Sequence, residues 1–145
     1  MQFTTIEFGS ALFVKELALR NEVLRKPLGL DLLNEDLAVE EGHWHFGLVA
    51  EDGGLAACVV LVPMDQHVAQ LRQMAVAEPH QRTGLGSELV RCVEQRVAAR
   101  GVVRIILHAR VEAIGFYQKL GYACEGDEYI EVGIQHRTMT KALIV

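Results

Sequence analysis

The chain has 145 residues, 50% of them hydrophobic and 23% charged, with a formal net charge of −5. That length supports one well-buried core and is short for two ordinary domains, so a single domain over residues 1–145 is expected. The acidic total and the lack of aromatics among the basic residues argue against nucleic-acid binding, no apolar run reaches the roughly 20 residues that cross a bilayer, and the N-terminus shows no basic region followed by an apolar core, so the expected location is cytoplasmic.

Residues 2–8 read as an opening strand. Ser10 can cap a helix whose Leu12, Phe13, Leu17 and Leu19 fall near helical spacing, running to about residue 25 before Pro27 ends it. Residues 29–42 carry no regular signal. Residues 45–50 and 55–62 are apolar runs rich in Val and Leu, joined by Glu51-Asp52-Gly53-Gly54 as a hairpin turn, and Pro63 stops the second. A third strand over 68–77 completes an antiparallel meander. A glycine turn, a helix-like stretch over 87–100 and a strand over 103–108 follow, a strand-helix-strand unit whose two strands should be parallel. Residues 130–143 supply the closing strand or strands. The fold class is therefore α/β (α+β), a mixed central sheet with flanking helices. Cys58, Cys92 and Cys124 are odd in number and widely spaced, which indicates neither a disulfide framework nor a zinc site.

The turn Gln81-Arg82-Thr83-Gly84-Leu85-Gly86 stands at a helix N-terminus. Backbone N–H groups there lack intrahelical partners and the peptide dipoles leave partial positive charge, which suits a phosphate. A nucleoside-triphosphate loop would need Gly-Lys, which occurs nowhere in the chain, and a dinucleotide fingerprint would need a third glycine where Leu89 stands. A glycine turn kept only for its geometry is the plain alternative.

The second half is more specific. Gln-x-x-Gly-x-Gly follows a strand ending Met74-Ala75-Val76, and Ala113-Ile114-Gly115-Phe116-Tyr117-Gln118-Lys119-Leu120-Gly121-Tyr122 follows the next strand. Together these resemble the GNAT superfamily of acetyl-CoA-dependent N-acetyltransferases over residues 70–121, and Gly133-Ile134-Gln135-His136 before Met139-Thr140-Lys141 is similar to the last strand of one branch. The resemblance implies acetyl-CoA as cofactor, main-chain groups around Met74, Ala75 and Val76 pairing with the pantetheine arm, and amides from Gln81 through Arg82, Thr83, Gly84, Leu85 and Gly86 to Ser87 holding the pyrophosphate. It implies direct attack by an amine in a ternary complex, with Tyr117 as the acid that protonates the departing thiolate. Packing in the core is the competing role for a tyrosine after Phe116.

The base is less legible. Gln70 stands where some family members have glutamate, and a carboxamide cannot take a proton. Glu35, Glu41, His43, His45 and His136 are the titratable groups near the expected acceptor side, and His136 is the preferred candidate. Arg110 replaces a common family asparagine and is a candidate cofactor contact. Between residues 31 and 52 lie seven acids and no Lys or Arg, whereas residues 82–110 carry six arginines. This polarity favours a small cationic amine as acceptor, with Trp44 as a further candidate for its pocket. Arg91, Arg96 and Arg100 are expected to be solvated. The alternative reading is a non-catalytic acyl-CoA-binding module. A homodimer through exposed strand edges is compatible with either.

Overall fold

The computed structural model describes residues 1–143. Strands β1 (Gln2–Ile6), β2 (Trp44–Val49), β3 (Leu55–Pro63) and β4 (Val68–Val76) form the expected antiparallel meander. β5 (Arg104–Arg110) runs parallel to β4, and the sheet closes with β6 (Ala123–Glu131) and β7 (Ile134–Ala142), giving the order β1-β2-β3-β4-β5-β7-β6.

Helices cover both faces, which is why β2 and β3 can be nearly continuous apolar runs. α1 (Ala11–Arg20) starts where the Ser10 hydroxyl accepts the Phe13 N–H at 3.1 Å, and the chain continues through one π-helical turn, Asn21–Arg25. It covers a small core of Ile6, Phe13, Cys58 and Ala75. α2 (Leu85–Ala99) covers the opposite face with Leu85, Leu89, Val90, Val93 and Val97, each buried side chain contributing about 1.5–3 kcal/mol. α3 (Ile114–Lys119) packs on that same larger core through Tyr117.

Three differences from the sequence reading have local causes. The closing segment is two strands and begins at Ala123, not 130, because β6 is an outer strand with Glu125, Asp127 and Glu128 exposed and little apolar alternation to reveal it. α2 begins two residues earlier than expected, since Gly84, at φ +84°, takes the cap position. Residues 29–42 contain short 3-10 turns, Leu32–Asn34 and Leu37–Gly42, capped by the Asp31 and Asp36 side chains, while Asn21 Oδ1 accepts the Leu32 N–H at 2.8 Å. These contacts spend polar groups rather than apolar ones and leave no periodic trace in sequence.

On the basic face of α2, Arg91 and Arg100 are exposed as expected, whereas Arg96 is half-buried. Arg96 lies 5.0 Å from the Phe3 ring centroid and donates to Thr5 Oγ1 at 2.8 Å, and Arg100 lies 4.9 Å from the Trp44 ring. Trp44 therefore packs against the larger core beneath α2 rather than lining an amine pocket. Cys58, Cys92 and Cys124 are free thiols; burial pushes the Cys58 thiol far up.

Candidate active site

β4 and β5 pair only from Val68↔Arg104 to Leu71↔Leu107. Beyond that point β5 stays with β7 as far as Arg110, and β4 stays with β3 as far as Val76. The cause is a bulge: the β3–β4 register shifts between Cys58 and Val60, and Gln73 adopts φ +55°. The two parallel strands diverge around a cleft of about 1360 Å³, and residues 72–76 keep one edge without a strand partner. The cleft passes between the two faces of the sheet. On the α2 face it meets the glycine turn and α3; on the α1 face it meets residues 23–35, with the β6–β7 hairpin beside β5.

Met74, Val76, Gln81, Arg82, Gly84, Gly86, Ser87 and Arg110 line this cleft. Ala75, Thr83 and Leu85 do not: Ala75 and Leu85 are buried in the cores, and Thr83 Oγ1 turns back to the His80 carbonyl at 2.5 Å. The Gln81 amide donates to the Val76 carbonyl at 2.9 Å, tying the turn to the open end of β4. Arg82, at φ +63°, and Gly84 both take left-handed backbone, and the first intrahelical bond is Glu88 N–H to Gly84 C=O at 3.1 Å. The N–H groups of Leu85, Gly86 and Ser87 therefore precede the helix ladder. The two glycines serve different ends. A Cβ at Gly84 would meet nothing within 4 Å, so the backbone angle is what requires glycine; at Gly86 it would meet Phe116 Cζ at 3.4 Å, so close packing of α2 on α3 is part of the requirement.

Tyr117 lines the cleft, is 7% exposed and has its ring edge-on to Phe116 and Tyr122. Its hydroxyl makes no side-chain hydrogen bond among the described residues, in contrast to Tyr122, which donates to Glu94 at 2.8 Å. Burial pushes the Tyr117 phenol up to about 12, so it keeps its proton through the neutral range.

His136 also lines the cleft, opposite Arg110 in the β5–β7 register. Its Nδ1–H donates to the Ile134 carbonyl at 2.7 Å, which leaves Nε2 as the lone-pair nitrogen of the neutral ring, 3.7 Å from Glu131 Oε2. Glu131 Oε1 is 3.2 Å from His108 Nδ1. Gln70 lines the cleft in the still-paired part of β4. The other candidate groups are placed elsewhere. His45 is buried between Glu16 and the Glu40 carbonyl, and Glu41 and His43 stand outside the cleft. Of the seven acids between residues 31 and 52 only Glu35 lines it.

Arg25 lines the cleft, on the stretch expected to form the acceptor wall, whereas Gln73, His108 and Glu131 are lining residues that the sequence did not single out. Arg25 donates to both Glu35 oxygens and to Gln73 Oε1, the last at 3.0 Å, joining the segment after α1 to the bulge. Glu131 and His108 form the second group. A two-residue turn at Val132 and Gly133, both with positive φ, sets Glu131 beside His136, and that Val-Gly pair was the one local signal.

The arrangement accords with comparisons to known proteins. The uncharacterized Bacillus subtilis (strain 168) protein YyaT is 38% identical over 77 residues, a stretch covering 53% of this chain and only 52% of that relative's length. The uncharacterized N-acetyltransferase YitI of the same strain is 30% identical over 132 residues, 86% of this chain and 88% of that protein. An aminoglycoside 6'-N-acetyltransferase complexed with coenzyme A superposes with a TM-score of 0.80 at 17% identity, covering 100% of this chain and 98% of that one, a likeness of fold. The model of the acetyltransferase (GNAT) family matches residues 12–122, most of the chain, including β4, the glycine turn, β5 and α3; the chain belongs to the acetyltransferase (GNAT) family.

Proposed function

We propose that the protein is an acetyl-CoA-dependent N-acetyltransferase acting on the primary amine of a small molecule that carries positive charge as the ammonium, by direct attack in a ternary complex. The observation that carries this reading is the split between β4 and β5, with an unpaired β4 edge at residues 72–76 in one cleft lined by the glycine turn and Tyr117. These residues fit acetyl-CoA: the open edge suits an amide-bearing arm, and the unpaired N–H groups at the start of α2 suit a pyrophosphate. Arg82 and Arg110 add cationic side chains on the same cleft. The structural relative, an aminoglycoside 6'-N-acetyltransferase complexed with coenzyme A, supports the same cofactor class.

Acetyl-CoA, when bound, supplies a thioester carbonyl carbon to which the amine bonds as the carbon–sulfur bond breaks. The chain's own groups handle the protons. His136 Nε2 accepts the proton that the ammonium sheds, and Glu131, 3.7 Å away, stabilises the resulting imidazolium. Tyr117 gives its hydroxyl proton to the departing thiolate, and the second proton that the nitrogen loses as the amide forms returns to the phenolate; burial keeps the phenol protonated until that step. His136→Ala is expected to lower kcat about a hundredfold while leaving the affinity for acetyl-CoA within twofold. Unchanged kcat would remove His136 from the scheme.

Gly84→Val tests the cofactor turn. A β-branched residue at φ +84° forces the cap out of its conformation, so acetyl-CoA affinity measured by calorimetry is expected to fall at least tenfold. Unchanged affinity would show that the turn does not hold the cofactor. Titrating acetyl-CoA, CoA and ATP in parallel tests the whole reading: selective binding of the first two supports it, and equal binding of ATP overturns it.

A further inference from the structure

The mouth of the cleft on the α1 face differs chemically from the cofactor side. Leu28 and Leu30 follow Pro27 at 39% and 45% exposure, and Val132, at the tip of the β6–β7 hairpin, is 73% exposed. All three line the cleft, together with Val23, Leu24 and Ile134. Large apolar side chains converging on a concave site, rather than scattered singly, mark a surface that a ligand covers.

The charged groups at this mouth, Arg72 apart, are already engaged. The Arg25 guanidinium is held by Glu35 and Gln73, and the Glu131 carboxylate lies against His108 and His136. An aminosugar, with hydroxyls around its whole ring, would find few donors or acceptors free to replace its lost water, and desolvated hydroxyls left unpaired are costly. A polyamine fares worse. Arg72, which lines the same mouth and forms no salt bridge among the described residues, would repel a second ammonium, and no second free carboxylate lies there to receive one.

We infer that the acceptor is a monoamine with an apolar alkyl or aryl body: one ammonium directed to the Glu131–His136 pair, and a hydrocarbon body laid between Leu28 and Leu30 on one wall and Val132 on the other. This rests on the N-acetyltransferase reading and names the substrate class of that site.

The test uses the full chain with acetyl-CoA and four amines, 2-phenylethylamine, hexylamine, spermidine and kanamycin, reading release of free CoA alongside calorimetric binding of each amine to the CoA-loaded protein. The first two are expected to show kcat/KM at least tenfold above the others. A Leu30→Ser, Val132→Asn double variant is expected to lower kcat/KM for 2-phenylethylamine about tenfold while leaving KM for acetyl-CoA unchanged. Asparagine suits the positive φ at position 132, so folding should survive. Spermidine or kanamycin turning over as well as the hydrocarbon amines would overturn the inference and leave the transferase reading intact. Selective binding of the hydrocarbon amines without CoA release from any amine would uphold the acceptor class and overturn the transferase reading. Binding of none of the four would overturn the acceptor class.

Discussion

Tyr117→Phe is expected to lower kcat about a hundredfold while leaving the affinity for acetyl-CoA within twofold and the melting temperature nearly unchanged. The hydroxyl makes no side-chain hydrogen bond among the described residues, so its removal strands no buried partner. The ring contacts to Phe116 and Tyr122 are edge contacts that phenylalanine reproduces. What is lost is the one proton that a buried phenol, pushed up to about 12, keeps available beside the cleft. Steady-state kinetics with a saturating amine, paired with calorimetric binding of acetyl-CoA, separates this from a packing role. A packing role predicts lower stability and unchanged kcat.

Arg20→Met should destabilise the fold by about 3–5 kcal/mol, the usual cost of leaving a buried charge without its partner, which lowers the melting temperature by roughly 10 °C. Arg20 is fully buried and donates to Glu16 at 2.8 Å and to both oxygens of Glu40 at 2.7 Å. His45 completes the group: its Nδ1 meets Glu16 at 2.9 Å and its Nε2 meets the Glu40 carbonyl at 3.0 Å. A ring that donates at both nitrogens is the imidazolium, so two cations balance two carboxylates. The network ties Leu37–Gly42 to α1 and β2, and through them holds the chain that leads into the cleft wall.

Its pH dependence has two limits. Burial alone would lower the His45 pKa, but the hydrogen bonds to Glu16 and to the Glu40 backbone and the nearby carboxylates raise it above the ordinary 6.5. Its stabilisation is therefore full below about pH 6.5 and is lost as pH rises through the raised value. Burial alone would raise the Glu40 pKa, yet the Arg20 contact brings it below the ordinary 4.5, so that contribution is present above 4.5 and is lost as pH falls through the lowered value. Melting temperatures across this range should decline on the alkaline side for the wild-type chain and lose that decline in His45→Gln. An unchanged alkaline slope in the variant would assign the decline to other groups.

His45 illustrates why a residue's type is a poor guide to its place. In sequence it stood among the candidate bases, four residues from Glu41 and the acids expected to attract an amine. In the fold, β2 turns it inward to Glu16, an acid 29 positions away whose burial no local pattern reveals. The acids around it divide in the same way. Glu40 is consumed by Arg20, and Glu35 alone reaches the cleft, already held by Arg25. Pairings across 10 to 48 residues, such as Arg25 with Glu35 and with Gln73, depend on how the chain folds back and leave no periodic signal.

The primary structure by itself determined what rests on short-range rules: the Ser10 cap, the apolar meander strands, the glycine turn opening α2, and the Phe116-Tyr117 motif that identifies the family. Backbone geometry and hydrophobic periodicity act over a few residues, and they are written there. Tertiary structure alone decided where β4 leaves β5, which acid stands beside His136, and which side chains line the cleft on the α1 face. Those follow from a bulge at Gln73, a hairpin that sets Glu131 beside His136, and a buried ion network that removes Glu16, Glu40 and His45 from solvent. Each is a contact between distant segments, and its energy depends on desolvation and pairing that exist only once the chain has packed.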